Sequence, residues 1–139
     1  MKVFLDTNML ASALATRGLC ADIFRELLHF HTLIISTDVI NELKEVLSDK
    51  FHVPHELINE NVSFLTQVCT VVDGVVDPDV IFQDKSDIPI ISAAVSARVD
   101  IFITGDKGIQ SLKTLKGVDF LSPREFWENH RKIDRETET

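Results

Sequence analysis

Short continuous apolar runs alternate along this chain with longer stretches in which apolar residues recur at intervals of three and four. The runs Val3 to Leu5, Leu33 to Ile35, Cys69 to Val72, Ile101 to Thr104 and Val118 to Leu121 are too short for helices and rich in Val, Ile and Phe, so they predict strands. Helical spacing is clearest from about Cys20 to Phe30, through Ile23, Phe24, Leu27 and Leu28, and from about Thr37 to Leu47, through Val39, Ile40, Leu43, Val46 and Leu47. Ser36 or Thr37 can cap the second of these. Pro54 opens a further helix through Leu65, with Leu57, Ile58, Leu65 and Phe64 as its inward candidates. Asp87 to Ala97 reads as a small-residue helix with Asp87 as its cap, Lys107 to Leu115 as a short one, and Ser122 and Pro123 open the last, which carries Phe126 and Trp127. The link after the first strand reads as a polar turn, and residues 73 to 86 as irregular.

Strands separated by helices imply right-handed crossovers and a mostly parallel five-stranded sheet with helices on both faces. The chain is 139 residues long and 45% hydrophobic, which supports one domain with a real core, expected over residues 1–130. Residues 131–139 alternate charge around few apolar side chains and are expected to form a flexible tail. Cys20 and Cys69 sit in apolar patterns without metal-ligand spacing and read as buried free thiols.

No apolar stretch approaches the roughly 20 residues of a membrane span, and no secretory leader pattern is present, so a soluble, cytoplasmic protein is expected. The net charge is −8, from 22 acidic and 14 basic residues. That balance argues against holding nucleic acid by electrostatics alone, but bound divalent cations would invert the potential of an acidic cleft.

The acids carry the chemistry. The first apolar run stops at Asp6, followed by Thr7 and Asn8, and the run from Ile101 leads through Thr104 and Gly105 to Asp106. In a parallel α/β sheet, ligands gather beyond the carboxyl ends of the strands, where both acids must lie. At about 100° per residue, Glu42 borders the apolar stripe of its helix, whereas Glu45 lies round toward solvent. Asp87 starts a helix that ends just before the strand from Ile101, which places it at the same edge; Asp84 is the alternative to it.

Singly, each acid has a simpler explanation: a cap for Asp87, a turn residue for Asp106, a half-exposed helix acid for Glu42. Together they would repel one another and take up protons, a conflict that Mg²⁺ or Mn²⁺ resolves. Thr7, Asn8 and Thr104 are polar groups able to hold these acids or a water, and local cap bonding is the alternative for Thr7 and Asn8. Lys85 and Lys107 flank the expected cleft as candidates for a substrate phosphate. Five histidines lack zinc spacing, and no serine elbow, glycine-rich phosphate loop or catalytic-cysteine motif is present.

Asp6, Thr7 and Asn8 after the first strand, Glu42 within Val39 to Leu43, Asp87 before Ile90 to Ala94, and Thr104 to Lys107 resemble, in order, the four acid motifs of the PIN domain family, and in particular its toxin–antitoxin ribonucleases. The resemblance spans about residues 1 to 130. It implies a three-layer α/β/α sandwich and a Mg²⁺- or Mn²⁺-dependent endoribonuclease, with the metal held by Asp6, Asp87 and Asp106 and the acidic shell completed by Glu42. It further implies an RNA substrate, an antitoxin partner and a homodimer. Two other readings stand beside it. A phosphatase could use the aspartate after the first strand, although such enzymes want a second Asp where this chain has Asn8. A non-catalytic interaction domain could keep the fold, although none of the four acids is missing.

Overall fold

Val3, Phe4 and Leu5 are fully buried, as a strand covered on both faces requires. In the computed structural model, which describes the backbone of residues 1–138 and the side chains of residues 1–130, they form β1 (Lys2–Leu5) at the centre of the sheet. The elements that follow are α1 (Thr7–Ala15), α2 (Leu19–Phe30), β2 (Thr32–Ser36), α3 (Thr37–Asp49), α4 (His55–Val68), β3 (Thr70–Val72), α5 (Ile88–Ser96), β4 (Ile101–Ile103), α6 (Lys107–Gln110), β5 (Thr114–Leu115), β6 (Val118–Leu121) and α7 (Pro123–Glu138). The expected tail at 131–139 falls outside the residues whose side chains are described.

The sheet has six strands, not five, in the order β3-β2-β1-β4-β6-β5, and all pairs are parallel except β5 with β6. The added strand corrects the helix expected through Leu115. That helix stops at Gln110, and Lys113 takes a φ of 57°. Lys116 and Gly117, with φ of 48° and 84°, then make the tight two-residue turn that a hairpin needs between β5 and β6.

A second correction concerns the link after β1, which is helix α1 rather than a turn. Asp6 caps it by accepting from the Met9 N–H at 2.9 Å, and the Ala-rich segment buries Met9, Leu10 and Ala11. Ser36 is the residue that caps α3, accepting from the Val39 N–H at 3.2 Å. On α4, Ile58 and Leu65 are buried, whereas Leu57 and Phe64 are exposed, against the inward positions expected for both. Cys69 is buried and its thiol is pushed up to about 12 by burial, while Cys20 is only half-buried.

Chain direction explains the layering. The steps from β1 to β2 and from β2 to β3 run one way along the sheet, and the return from β3 to β4 runs the other way past β2 and β1. Right-handed crossovers therefore place α1 to α4 on one face and α5 on the opposite one, giving a three-layer α/β/α sandwich. Because the chain leaves β1 and β4 in opposite directions, the crevice at their carboxyl ends is the topological switch point.

Register at that point is fixed by aromatic packing. Phe4, Phe102 and Phe120 are cross-strand partners on β1, β4 and β6, with ring centroids 5.1 Å and 5.2 Å apart. Burying a ring of this size contributes about 1.5–3 kcal/mol, and a one-residue slip of any of these strands would turn its ring to the opposite face, away from the other two. The same register sets Leu5 beside Ile103, so the next residues, Asp6 and Thr104, leave the sheet side by side. Among the described residues no helix is long and apolar enough to cross a membrane.

Candidate active site at the carboxyl edge of the sheet

Beyond the paired ends of β1 and β4, the Thr104 hydroxyl donates to Asp6 Oδ2 and accepts the Asp106 N–H at 3.0 Å. One buried oxygen thus ties two acids together, and Thr104 itself is fully buried. Asp6 Oδ1 is taken by the Met9 N–H, and Asp106 Oδ1 by the N–H groups of Gly108 at 2.7 Å and Ile109 at 3.1 Å. Asp106 therefore caps α6 as Asp6 caps α1. A Cβ at residue 108 would lie 3.0 Å from Asp106 Oδ1, so glycine there lets the carboxylate approach the backbone closely.

Two acids complete a single cleft. Glu42, half-buried on α3, and Asp87, half-buried at the start of α5, line it together with Asp6, Thr7, Asn8, Asp106, Ile90 and Ile109. The cleft holds about 30 Å³ of solvent-accessible space. That is room for about two waters.

Asp87 stands at the cap position of α5 but makes no side-chain cap bond. Its backbone is helical, at φ −84° and ψ −17°, where Asp6 and Asp106 are extended. Pro89, the second helical residue, also lacks the N–H that a cap side chain would take. The Asp87 carboxylate is left to the cleft.

The charges interact as the shared cleft demands. Burial, then the charges of Asp84, Asp106, Glu42 and Asp6, raise the Asp87 carboxyl to about 6. Glu42 is raised by burial and by Asp6 and Glu45, with a smaller contribution from Asp84. Asp6 is raised by burial, against which the Thr104 and Met9 hydrogen bonds act, and the Asp106 charge adds to the rise. The half-buried Cys20 thiol is raised by burial and by the charge of Asp6.

The remaining expected residues are placed as follows. Asn8 lines the cleft but makes no hydrogen bond to Asp6 among the described residues; Met9 and Thr104 hold that carboxylate. Thr7 lines it too; its Oγ1 lies close enough to Glu42 to oppose part of that acid's rise, yet completes no hydrogen bond of ordinary geometry. Asp84 is exposed, does not line the cleft, and is occupied by the Ser86 N–H and hydroxyl at 3.0 Å and 2.7 Å. Lys107 faces a neighbouring open groove with Lys113 and Phe120, and Lys85 is exposed and lines neither space. In the irregular segment before α5, Asp77 and Asp79 are both held by Lys116, at 2.9 Å and 2.8 Å. Gln110 has no counterpart in the sequence reading: its side-chain amide donates to the Thr104 carbonyl at 2.7 Å, and nothing in a lone helical glutamine signals that contact.

The donor set suits a hard divalent cation. It is all oxygen, it carries negative charge with three carboxyls raised by crowding and burial, and one buried hydroxyl in it has no partner. Among the described residues, no group of three or more His, Cys, Asp or Glu side chains forms a ready-made metal cage. Mg²⁺ commonly keeps several waters and takes one or two carboxylates, so the set fits it without such a cage.

A family model described as a PIN domain matches residues 2–108. Among solved structures, the chain is similar to one from VapBC2 of Rickettsia felis bound to a DNA fragment from its promoter, at 16% identity and a TM-score of 0.64, over 88% of this chain and 98% of the other. It is similar to VapC20 of Mycobacterium tuberculosis, a sarcin-ricin loop cleaving toxin, at 12% identity and a TM-score of 0.61, over 82% and 97%. VapBC-1 of nontypeable Haemophilus influenzae matches at 18% identity and a TM-score of 0.63, over 89% and 99%. Comparison with curated protein sequences finds no match.

Proposed function

The chain belongs to the PIN domain family, and from that premise we propose that it is a Mg²⁺- or Mn²⁺-dependent endoribonuclease, the toxin of a toxin–antitoxin pair. The observation that carries the reading is the convergence on one small cleft of four carboxylates from four separate elements: Asp6, Glu42, Asp87 and Asp106. The likeness in fold to the toxin VapC20 and to two VapBC structures supports RNA as substrate and an antitoxin as partner. A homodimer and a cytoplasmic location complete the proposal.

Asp6, Asp87 and Asp106 would hold the cation. When bound, it supplies neutralising charge at the scissile phosphate and makes water a better nucleophile near neutral pH. Glu42, which lines the same cleft from α3, would complete the acidic shell and orient a water for attack on the phosphate. The Thr104 hydroxyl keeps Asp6 in place, and the α1 and α6 N-termini fix one oxygen each of Asp6 and Asp106. The water oxygen would bond to phosphorus as the water gives up a proton, the bond to the 3′-oxygen would break, and that oxygen would take up a proton, so that water's two parts are shared between the products. The products carry a 5′-phosphate and a 3′-hydroxyl. The phosphatase alternative would need Asp6 as nucleophile and a second Asp two residues on, where this chain has Asn8.

The test is cleavage of end-labelled single-stranded RNAs with Mn²⁺. Asp6→Asn and Asp106→Asn are expected to lose more than about 100-fold in rate, beyond the cost of losing a group that merely supports a ligand. Variants as active as wild type would overturn the assignment. Phosphate release from a small monoester without RNA cleavage would favour the phosphatase.

A further inference from the structure

Among the described residues, four with hydroxyl side chains are buried: Thr7, Ser36, Ser92 and Thr104. Ser36 accepts the Val39 N–H, Ser92 accepts the Asp77 N–H at 3.1 Å, and Thr104 is bonded to both Asp6 and Asp106. Thr7 Oγ1 alone among the buried side-chain polar atoms described has no partner, although the residue is only 2% exposed. An orphaned buried hydroxyl is costly, and it marks a place where a water, an ion or a ligand completes the structure.

Position explains why no helical partner exists, and Glu42, though near, completes no hydrogen bond of ordinary geometry with the hydroxyl. Thr7 is the first residue of α1, so no helical carbonyl lies one turn earlier for its hydroxyl to bond. Thr7 lines the acidic cleft together with Asp6, its sequence neighbour, and its hydroxyl lies close to Glu42. Ionised carboxylates only accept hydrogen bonds, which leaves Thr7 and Asn8 as the uncharged side-chain donors of that space.

We propose that Thr7 is a positioning residue: when the cleft carries a divalent cation, its Oγ1 accepts a hydrogen bond from an ordered water between Asp6 and Glu42 and donates to Glu42. This rests on the reading of the cleft as a cation site. The partner of the hydroxyl arrives with the hydrated cation, so the same side chain is a liability in the cation-free protein and an asset in the loaded one.

Thr7→Val, which keeps the shape and removes the hydroxyl, tests that reversal of sign. In EDTA its melting temperature is expected to equal or exceed that of wild type, because no hydrogen bond is lost. Mn²⁺ binding measured by calorimetry is expected to weaken about 10-fold or more, with a smaller Mn²⁺-induced rise in melting temperature. Turnover should fall with KM for RNA nearly unchanged, and Thr7→Ser should restore Mn²⁺ affinity. A Val variant that is less stable in EDTA, meaning that the hydroxyl was already bonded, overturns the proposal. So does a Val variant with wild-type Mn²⁺ affinity. Wild-type protein that takes up neither Mn²⁺ nor Mg²⁺ overturns the cation reading and this inference together, whereas uptake that ignores residue 7 overturns this inference alone.

Discussion

The two sides of the acidic cleft are built on opposite terms. On the side of β1 and β4, Asp6 and Asp106 are held by two helix N-termini and share the Thr104 hydroxyl, so their positions follow from the backbone. On the side of α3 and α5, no hydrogen bond of ordinary geometry holds the Glu42 or Asp87 carboxylates among the described residues, and both acids are raised by burial and by neighbouring negative charge. The difference teaches what each side is for. Acids on the first side are pre-positioned, each already accepting two hydrogen bonds, while those on the second carry unmet charge that a cation would relieve.

The harshest way to break this contrast is to remove the hinge of the ordered side. Thr104→Val leaves Asp6 buried with one partner fewer and strips the Asp106 N–H of its acceptor. Asp6 is buried, and a buried group left short of a partner costs about 1–3 kcal/mol, so denaturant unfolding without metal should show a clear loss of stability. Mn²⁺ affinity should fall about 10- to 100-fold, as for other partners of metal ligands. A Thr104→Val protein as stable as wild type would show that the ordered side does not depend on this bond.

Most of that ordered side was legible in the residues. An apolar run ending in an acid needs little tertiary context, and the acids after β1 and β4 lie at the switch point because strand order alone puts them there. The helical phase of Glu42 also pointed to the cleft it lines. What was not legible came from groups with two local uses. Asp6, Thr7 and Asn8 read as a turn because those residue types favour turns, yet the carboxylate of Asp6 serves both as the cap of α1 and as a wall of the cleft. The segment through Leu115 kept helical spacing, and only the positive φ of Lys113 and Lys116 reveals the hairpin that makes the sixth strand. At Pro89 the sequence contained a usable signal: a proline at the second helical position removes a donor that Asp87 would otherwise cap, and so leaves that acid to the site.

The uncapped side is tested by pH. Asp87 is raised from 3.8 to about 6, so its contribution to stability is fully present below pH 3.8 and is lost as pH rises through about 6. Asp6 and Glu42 are shifted in the same direction. In EDTA, the melting temperature of wild type relative to Asp87→Asn should therefore rise on acidification from pH 7 to about 5. The effect should be modest, because Asp87 is half open to solvent and screened. With saturating Mn²⁺ the trend should reverse, since protons then compete with the cation for the carboxylates. A difference between the two proteins that is flat with pH in EDTA would mean that the Asp87 charge is not opposed in the folded state.

The smallest expected effect separates Asp87 from its neighbour. Asp84 is exposed, its carboxylate is occupied by Ser86, and those hydrogen bonds lower its pKa, so it behaves as a loop acid that makes its own turn. Its charge nonetheless stands first among those that raise Asp87. Asp84→Asn should therefore leave RNA cleavage close to wild type and shift stability by no more than about 0.5 kcal/mol, as exposed substitutions do. The sharper readout is the pH trend in EDTA: without Asp84, the midpoint of the Asp87-dependent change should move to lower pH, because one repelling charge is gone. Cleavage lost in Asp84→Asn and kept in Asp87→Asn would exchange the two residues, and the division between a capped side and an uncapped side would then no longer describe the site.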